Sequence, residues 1–362
     1  MNKMINNTIK VFRREGKPFN SDVLENIPPI KKLAQTAEWL EGELLIPRTT
    51  ISTYSIRPLL TQGLKANGGD AKVTRLKRLP VRREVIGIDS TSIPLAESRK
   101  GILLAARATL IRRTMRGYGV ERIGPILAYI TNETLAELRH ELIASWRIIR
   151  LATVDPWYSK QIVMTILEKW LLWRAASTSS DAIILVDGSL RPSVIKLRNY
   201  TIQRIMAEAE DRGNTVIGVS KRSKLFRWCP EKLLKLVEER PPAVVEVPEA
   251  KRYLKNVLGT VFFTLFSRDG APLRTDVPEY GGEPLQKLEE LYSNDLFQSG
   301  YPETLRQAHV FSKLSRTERI GLRLNLRLFK ARLLPSERNR DVLFGGFSRA
   351  SGEWGVGDAN LR

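Results

Sequence analysis

The chain has 362 residues, 42% of them hydrophobic, which is enough for one large domain or two ordinary ones with a real core. Its formal net charge of +20 favours a polyanionic partner, nucleic acid ahead of an anionic membrane. A single cysteine, Cys229, excludes an intramolecular disulfide and a thiolate zinc site, and two histidines, His140 and His309, exclude a histidine-rich metal centre.

The N-terminus, MNKMINNTIKVFRREGK, has no apolar run of the kind a signal peptide needs. Basic residues break every apolar stretch before it reaches membrane-spanning length, so no membrane is expected and the location expected is cytoplasmic. Residues 1–80 read as an N-terminal helical arm. In PPIKKLAQTAEWLEGELL, Ile30, Leu33, Ala37, Leu40 and Leu44 recur at helical spacing. NGGD at 67–70 is a turn.

An α/β domain is expected over 81–342. Val85–Ile88 reads as a strand, PLAESRKG at 94–101 as a loop, and Ile102–Ile111 and Ile123–Ile130 as two more strands. Short connections between them predict an antiparallel meander. Thr134 and Glu137 form a capping box before one helix, and Asp155 with Pro156 opens another over 156–176. Ile183–Val186 is a strand, 194–212 a helix ending at Gly213, and Val216–Val219 a strand. This order predicts a ribonuclease H-like mixed sheet flanked by helices. PPAVVEVPEA at 241–250 reads as a proline-rich excursion and TVFFTLFSRDG as a strand and turn. Residues 310–340 form a basic C-terminal helical segment, and 343–362 a flexible tail.

Two of the strands end in aspartate. VIGIDSTS places Asp89 there, and AIILVDGSL places Asp187 there. Carboxylates on neighbouring strand ends repel, and a divalent metal relieves that repulsion. Each could instead be a turn aspartate, Asp187 more so in its Asp-Gly pair. Glu168 lies in IVMTILEKWLLWRA with Met164, Leu171, Leu172 and Ala175 on its face. Burial there asks for a metal or for a salt bridge to Arg174 or Lys169. Lys221, after a strand in VIGVSKRSK, could neutralise a phosphate or be a surface lysine. His309 in GYPETLRQAHVFSKLS could contact metal or phosphate or be structural. With so few thiols and imidazoles, a metal would be held by carboxylates, which suits Mn2+ or Mg2+.

Taken in order, VIGIDSTS, the glutamate helix, IILVDGSL, VIGVSKRS and GYPETLRQAH resemble the NurA-domain nuclease family over roughly 85–315. The resemblance implies a Mn2+-dependent deoxyribonuclease, a 5′–3′ exonuclease on DNA ends and a single-strand endonuclease, acting in end resection and double-strand break repair by homologous recombination. It implies a homodimer working with a HerA-type hexameric ATPase on single-stranded DNA and duplex ends. By position Asp89, Glu168, Asp187 and His309 match the family's metal ligands, and Lys221 its lysine. Glu133, Glu137 and Glu141 compete with Glu168 for the glutamate. The family's site tyrosine falls on Tyr253 or the Phe262–Phe263 region. The first motif reads DST where the family often has DGS. The arginines at 107–116 and the basic C-terminal helix are expected along the DNA backbone. A catalytically weakened DNA-binding scaffold of the same fold, or another ribonuclease H-like enzyme such as a resolvase or transposase, is the alternative.

Overall fold

The computed structural model describes residues 40–47, 72–135, 152, 157–190, 199–254, 256–326 and 332–333. At its centre β3 (Val85–Glu97), β4 (Gly101–Thr114) and β5 (Gly117–Thr131) make the expected antiparallel meander. β6 (Ile183–Asp187) and β7 (Thr215–Ser220) then run parallel to β3. The order β5-β4-β3-β6-β7, three antiparallel strands followed by two parallel ones, is ribonuclease H-like. Beyond β7 the sheet continues antiparallel through β10 (Leu273–Val277), β9 (Thr260–Leu265), β8 (Ala243–Glu246) and β2 (Val73–Arg75). A separate two-stranded ribbon pairs β11 (Phe297–Gln298) with β12 (Tyr301–Pro302). β1 (Leu44–Pro47) and β13 (Arg332–Leu333) extend the far half of β3.

Both faces of the central strands are apolar, as parallel strands under helices require. Ile86, Ile88 and Ile184 point to one face and pack on α1 (Trp157–Thr178) and α2 (Asn199–Asp211). Val85, Ile183, Leu185, Ile217 and Val219 point to the other, under α6 (Pro284–Asn294) and α7 (Glu303–Ser312). The antiparallel half has its own core with α3 (Leu225–Trp228), α4 (Pro230–Glu238) and α5 (Ala250–Tyr253). α8 (Arg316–Asn325) opens on a capping box of Ser315 and Glu318 and covers the outer part of β3 and β4.

Several expectations need correcting. The segment at 94–101 is not a loop. β3 runs through Glu97 with an irregularity between Pro94 and Ala96, where the ring can sit without breaking the ladder. The proline-rich segment contributes β8 to the sheet, because Val244 and Val245 face opposite cores. Leu44, placed on a helix face by its spacing, starts β1 instead, after a turn at Glu41–Gly42. Of the arm expected over 1–80, residues 44–47 and 73–75 join the sheet. Residues 1–39 and 48–71 of that arm, the helix over 136–151, Asp155, Pro156 and the tail over 343–362 lie outside the described residues.

Candidate metal centre

The register of β3 against β6 builds the centre of the site. Val85 pairs with Ile183 and Ile88 with Val186, so Asp89 and Asp187 stand one step beyond the last pair. Both share the face of Val85 and Ile183, since side chains alternate along a strand. That is the face α7 covers. Here His309 Nδ1 lies 2.6 Å from Asp89 Oδ2, and Ser312 Oγ donates to the same oxygen at 3.4 Å. Asp89, Asp187 and His309 each present a ligand atom within 4.8 Å of the other two.

Close approach of α7 depends on Gly87. A Cβ there would meet the Thr304 carbonyl oxygen at 2.6 Å. The start of α7 is pinned by Asp295, whose buried carboxylate accepts from Thr304 Oγ1 at 2.7 Å and from the Leu296 amide at 2.8 Å. Burial pushes that carboxyl up to about 6 against these hydrogen bonds.

The loop after Asp187 is held from β10, two strands away across β7. Asp276, fully buried on β10, accepts from the Leu190 amide at 3.0 Å and pairs with Arg274 at 2.7 and 2.8 Å. Gly218 on β7 gives the loop room, because a Cβ would meet the Gly188 oxygen at 2.7 Å. Asp276 thus fixes the backbone that follows Asp187.

Burial raises the Asp89 carboxyl above its usual range and the charge of Asp187 adds to this, while the contact with His309 opposes it. Lys221, at the end of β7, places Nζ 3.7 Å from Asp187 Oδ2 and 4.1 Å from the centre of the Tyr301 ring. Burial and the charges of Asp187 and Asp89 push the Tyr301 hydroxyl upward, so it stays protonated.

Asp89, Asp187, His309 and Lys221 therefore come together as a constellation drawn from four elements. Glu168 is adjacent but outside the mutual set. On α1, across β3, it accepts from Ser90 Oγ at 2.7 Å, next in sequence to Asp89. Among its rivals Glu133 is exposed at the end of β5 beside Thr131, and Glu137 and Glu141 lie outside the described residues, as does His140. Tyr253 packs on Trp228 in the distal core, Phe263 belongs to that core and Phe262 to the one under α6. The tyrosine at the site is Tyr301, in the GYPETLRQAH element, two residues before α7.

The arginines of 107–116 do not form one DNA-facing row. Arg107 is buried and paired with Glu318 at 2.5 Å, and Arg112 is held by Glu84 and Glu121 at 3.2 Å each. Arg113 binds the Asn294 carbonyl and faces Asp295 at 3.8 Å.

Two carboxylates and one imidazole, with a third carboxylate alongside, fit a hard or borderline divalent cation. Asp89 carries the mark of such a place, since its ionised form is disfavoured by burial and by Asp187, and a cation would reverse both effects.

The NurA domain family matches residues 83–314. No protein with a curated description matches the sequence. Among solved structures, the NurA nuclease from Sulfolobus solfataricus is similar at 15% identity and a TM-score of 0.47, over 91% of this chain and 97% of that one. Another NurA structure is similar at 10% identity and a TM-score of 0.44, over 74% and 92%. Endonuclease V from Bacillus subtilis is similar at 13% identity and a TM-score of 0.36, over 70% and 88%.

Proposed function

The chain belongs to the NurA domain family and is a nuclease; we propose that it is a Mn2+-dependent deoxyribonuclease that resects DNA ends. The observation that carries the metal dependence is the mutual 4.8 Å approach of Asp89, Asp187 and His309. Asp89, Asp187 and His309 would hold the ion, with Glu168 contributing from the Ser90 side. The imidazole in the set favours Mn2+ over Mg2+, which prefers oxygen alone. Such an ion supplies a water of lowered pKa and polarises the scissile phosphate.

The protein's own groups do the rest. Lys221, extended along the Tyr301 ring, would neutralise charge building on the phosphate oxygens. His309, with Nδ1 beside Asp89, would serve through its other nitrogen either as a ligand of that ion or, in place of that, as a proton carrier. Ser90 orients Glu168, and Asp276 with Arg274 keeps the loop behind Asp187 from moving. The +20 net charge supports a DNA substrate bound with strong salt dependence. Action as a 5′–3′ exonuclease and single-strand endonuclease, a homodimer, a HerA-type ATPase partner and a cytoplasmic location belong to the same reading. No described helix is long and apolar enough to cross a membrane.

The test is cleavage of labelled single-stranded and duplex DNA with Mn2+, with Mg2+ and with chelator. Asp89→Asn and Asp187→Asn should each lower the rate at least about 100-fold. Undiminished cleavage by both variants would remove the site assignment. DNA binding without any cleavage by the wild type would favour the scaffold alternative.

A further inference from the structure

Five arginines surround an open groove of about 770 Å³ at the other end of the central strands. One wall is the extended segment 78–84 leading into β3. The other is the turn from β4 to β5, residues 113–116, and the end of α6 closes the groove at Ser293 and Asn294. Arg83 and Arg113 are anchored to the fold, as their hydrogen bonds to backbone carbonyls show. Arg78, Arg82 and Arg116 are exposed, and none of the three meets a carboxylate among the described residues. Arg78 lies 5.2 Å over the Tyr292 ring, and Arg82 reaches Met115 Sδ at 2.7 Å. Glu84 is the acidic residue of the lining, and Arg112 already neutralises it.

The groove is not only basic. Val81 and Met115 are exposed between the arginines, 40% and 75% accessible. Guanidinium forks bind phosphate oxygens two at a time, and an apolar floor beside them suits unstacked bases. The groove also lies on the same face as the acid cluster. Arg113 pairs with Val85, and Val85 shares its face with Asp89, four residues along β3. That separation is about 13 Å along the strand. α7 covers β3 between the two, so a DNA strand joining them would pass around that helix rather than along β3.

We propose that this groove is a second phosphate-binding site, which holds single-stranded DNA on the far side of the cleavage point. It rests on the nuclease reading for its substrate, while its own test needs no cleavage. The measurement is fluorescence anisotropy of a labelled single-stranded oligonucleotide with the full chain in EDTA, so that no strand is cut. The groove variant carries Arg82→Glu and Arg116→Glu. A control with the same charge change carries Lys235→Glu and Arg240→Glu, both exposed, the first in the last turn of α4 and the second just after it.

The groove variant should bind at least tenfold more weakly than the control. Its slope of log affinity against log salt should fall by roughly 1.4, about 0.7 for each phosphate that a guanidinium no longer neutralises. The neutral pair Arg82→Gln and Arg116→Gln should shift the same way and covers the case in which charge reversal unfolds the chain. Equal binding by groove and control variants overturns the proposal. So does intact DNA binding with weakened binding of poly-glutamate, which would assign the groove to an acidic protein instead. Failure of the nuclease reading would show separately, as absence of Mn2+-dependent cleavage by the wild type.

Discussion

The two ends of the central parallel strands hold charge in opposite ways. Where β6 ends beside the interior of β3, Asp187 and Asp89 stand side by side, and the charge of Asp187 makes Asp89 harder to ionise. At the N-terminal ends, Arg83 is almost fully satisfied. It donates to the carbonyls of Asp181 at 2.8 Å and Gly213 at 2.6 Å, and pairs with Glu290 at 2.5 Å. The first arrangement stores unfavourable electrostatics that a ligand can relieve, and the second holds the fold together. Residues that look alike in a sequence, charged groups flanking a strand, thus serve either binding or stability according to whether the backbone nearby supplies their partners.

The largest expected effect that tests this contrast is at the satisfied end. Arg83→Ala leaves the buried Glu290 without its cation, with Gln286 its remaining donor, and takes the side-chain donor from three carbonyls, and should lower stability by about 3 kcal/mol in chemical denaturation. A loss under about 1 kcal/mol would mean that water replaces the guanidinium without cost. Next comes the seat of α7. Gly87→Ala forces a Cβ against the Thr304 carbonyl and should destabilise by about 2 kcal/mol. Because α7 carries His309, DNA cleavage should fall more than tenfold at temperatures where the variant is still folded. Normal cleavage with lowered stability would show that His309 is not held in place by this contact.

The smallest effect is a pH dependence. The folded-state pKa of Asp295, about 6, stands above the ordinary value of 3.8, so the native state binds the proton more tightly. Its contribution to stability is full below the unfolded pKa and disappears as pH rises through 6. Arg113 faces it from β4, and Thr304 binds it from α7. Between pH 7 and pH 5, the stability of the wild type should gain about 1 kcal/mol relative to Asp295→Asn. A difference that does not change with pH would place the carboxyl back in its ordinary range.

Much of the candidate site is legible in the sequence because it is written in short local patterns. A run of β-branched residues ending in aspartate marks Asp89 and Asp187, and the strand-end lysine marks Lys221. The fold follows from the same strands and from the long apolar helix, since consecutive β3, β4 and β5 pair as neighbours. What is not legible depends on distant partners. Nothing near Arg107 in the sequence announces Glu318, 211 positions away, and so a buried ion pair reads as a DNA contact. Tyr301 stands in a motif whose conspicuous residue is its histidine, and only the fold brings its ring under Lys221. Pro94 and the prolines before β8 read as breaks, although a ladder irregularity accommodates the first and the others stand just ahead of the strand's first residue. The arginine groove joins two segments separated in the chain by the whole of β3 and β4, neither of which is conspicuous in so basic a protein.

Arg83 has one more consequence. The carbonyls it grips, Asp181, Ala182 and Gly213, are those immediately before β6 and β7, so one side chain indexes three strands against each other. Slipping β6 by a single residue would turn Asp187 to the opposite face and leave Asp89 without its neighbour. The alignment of the two aspartates is therefore calibrated from the far end of the sheet. Substitutions there would detune the proposed metal site while Asp89, Asp187 and His309 remain in the sequence, and a search for inactivating changes confined to the acid cluster would miss them.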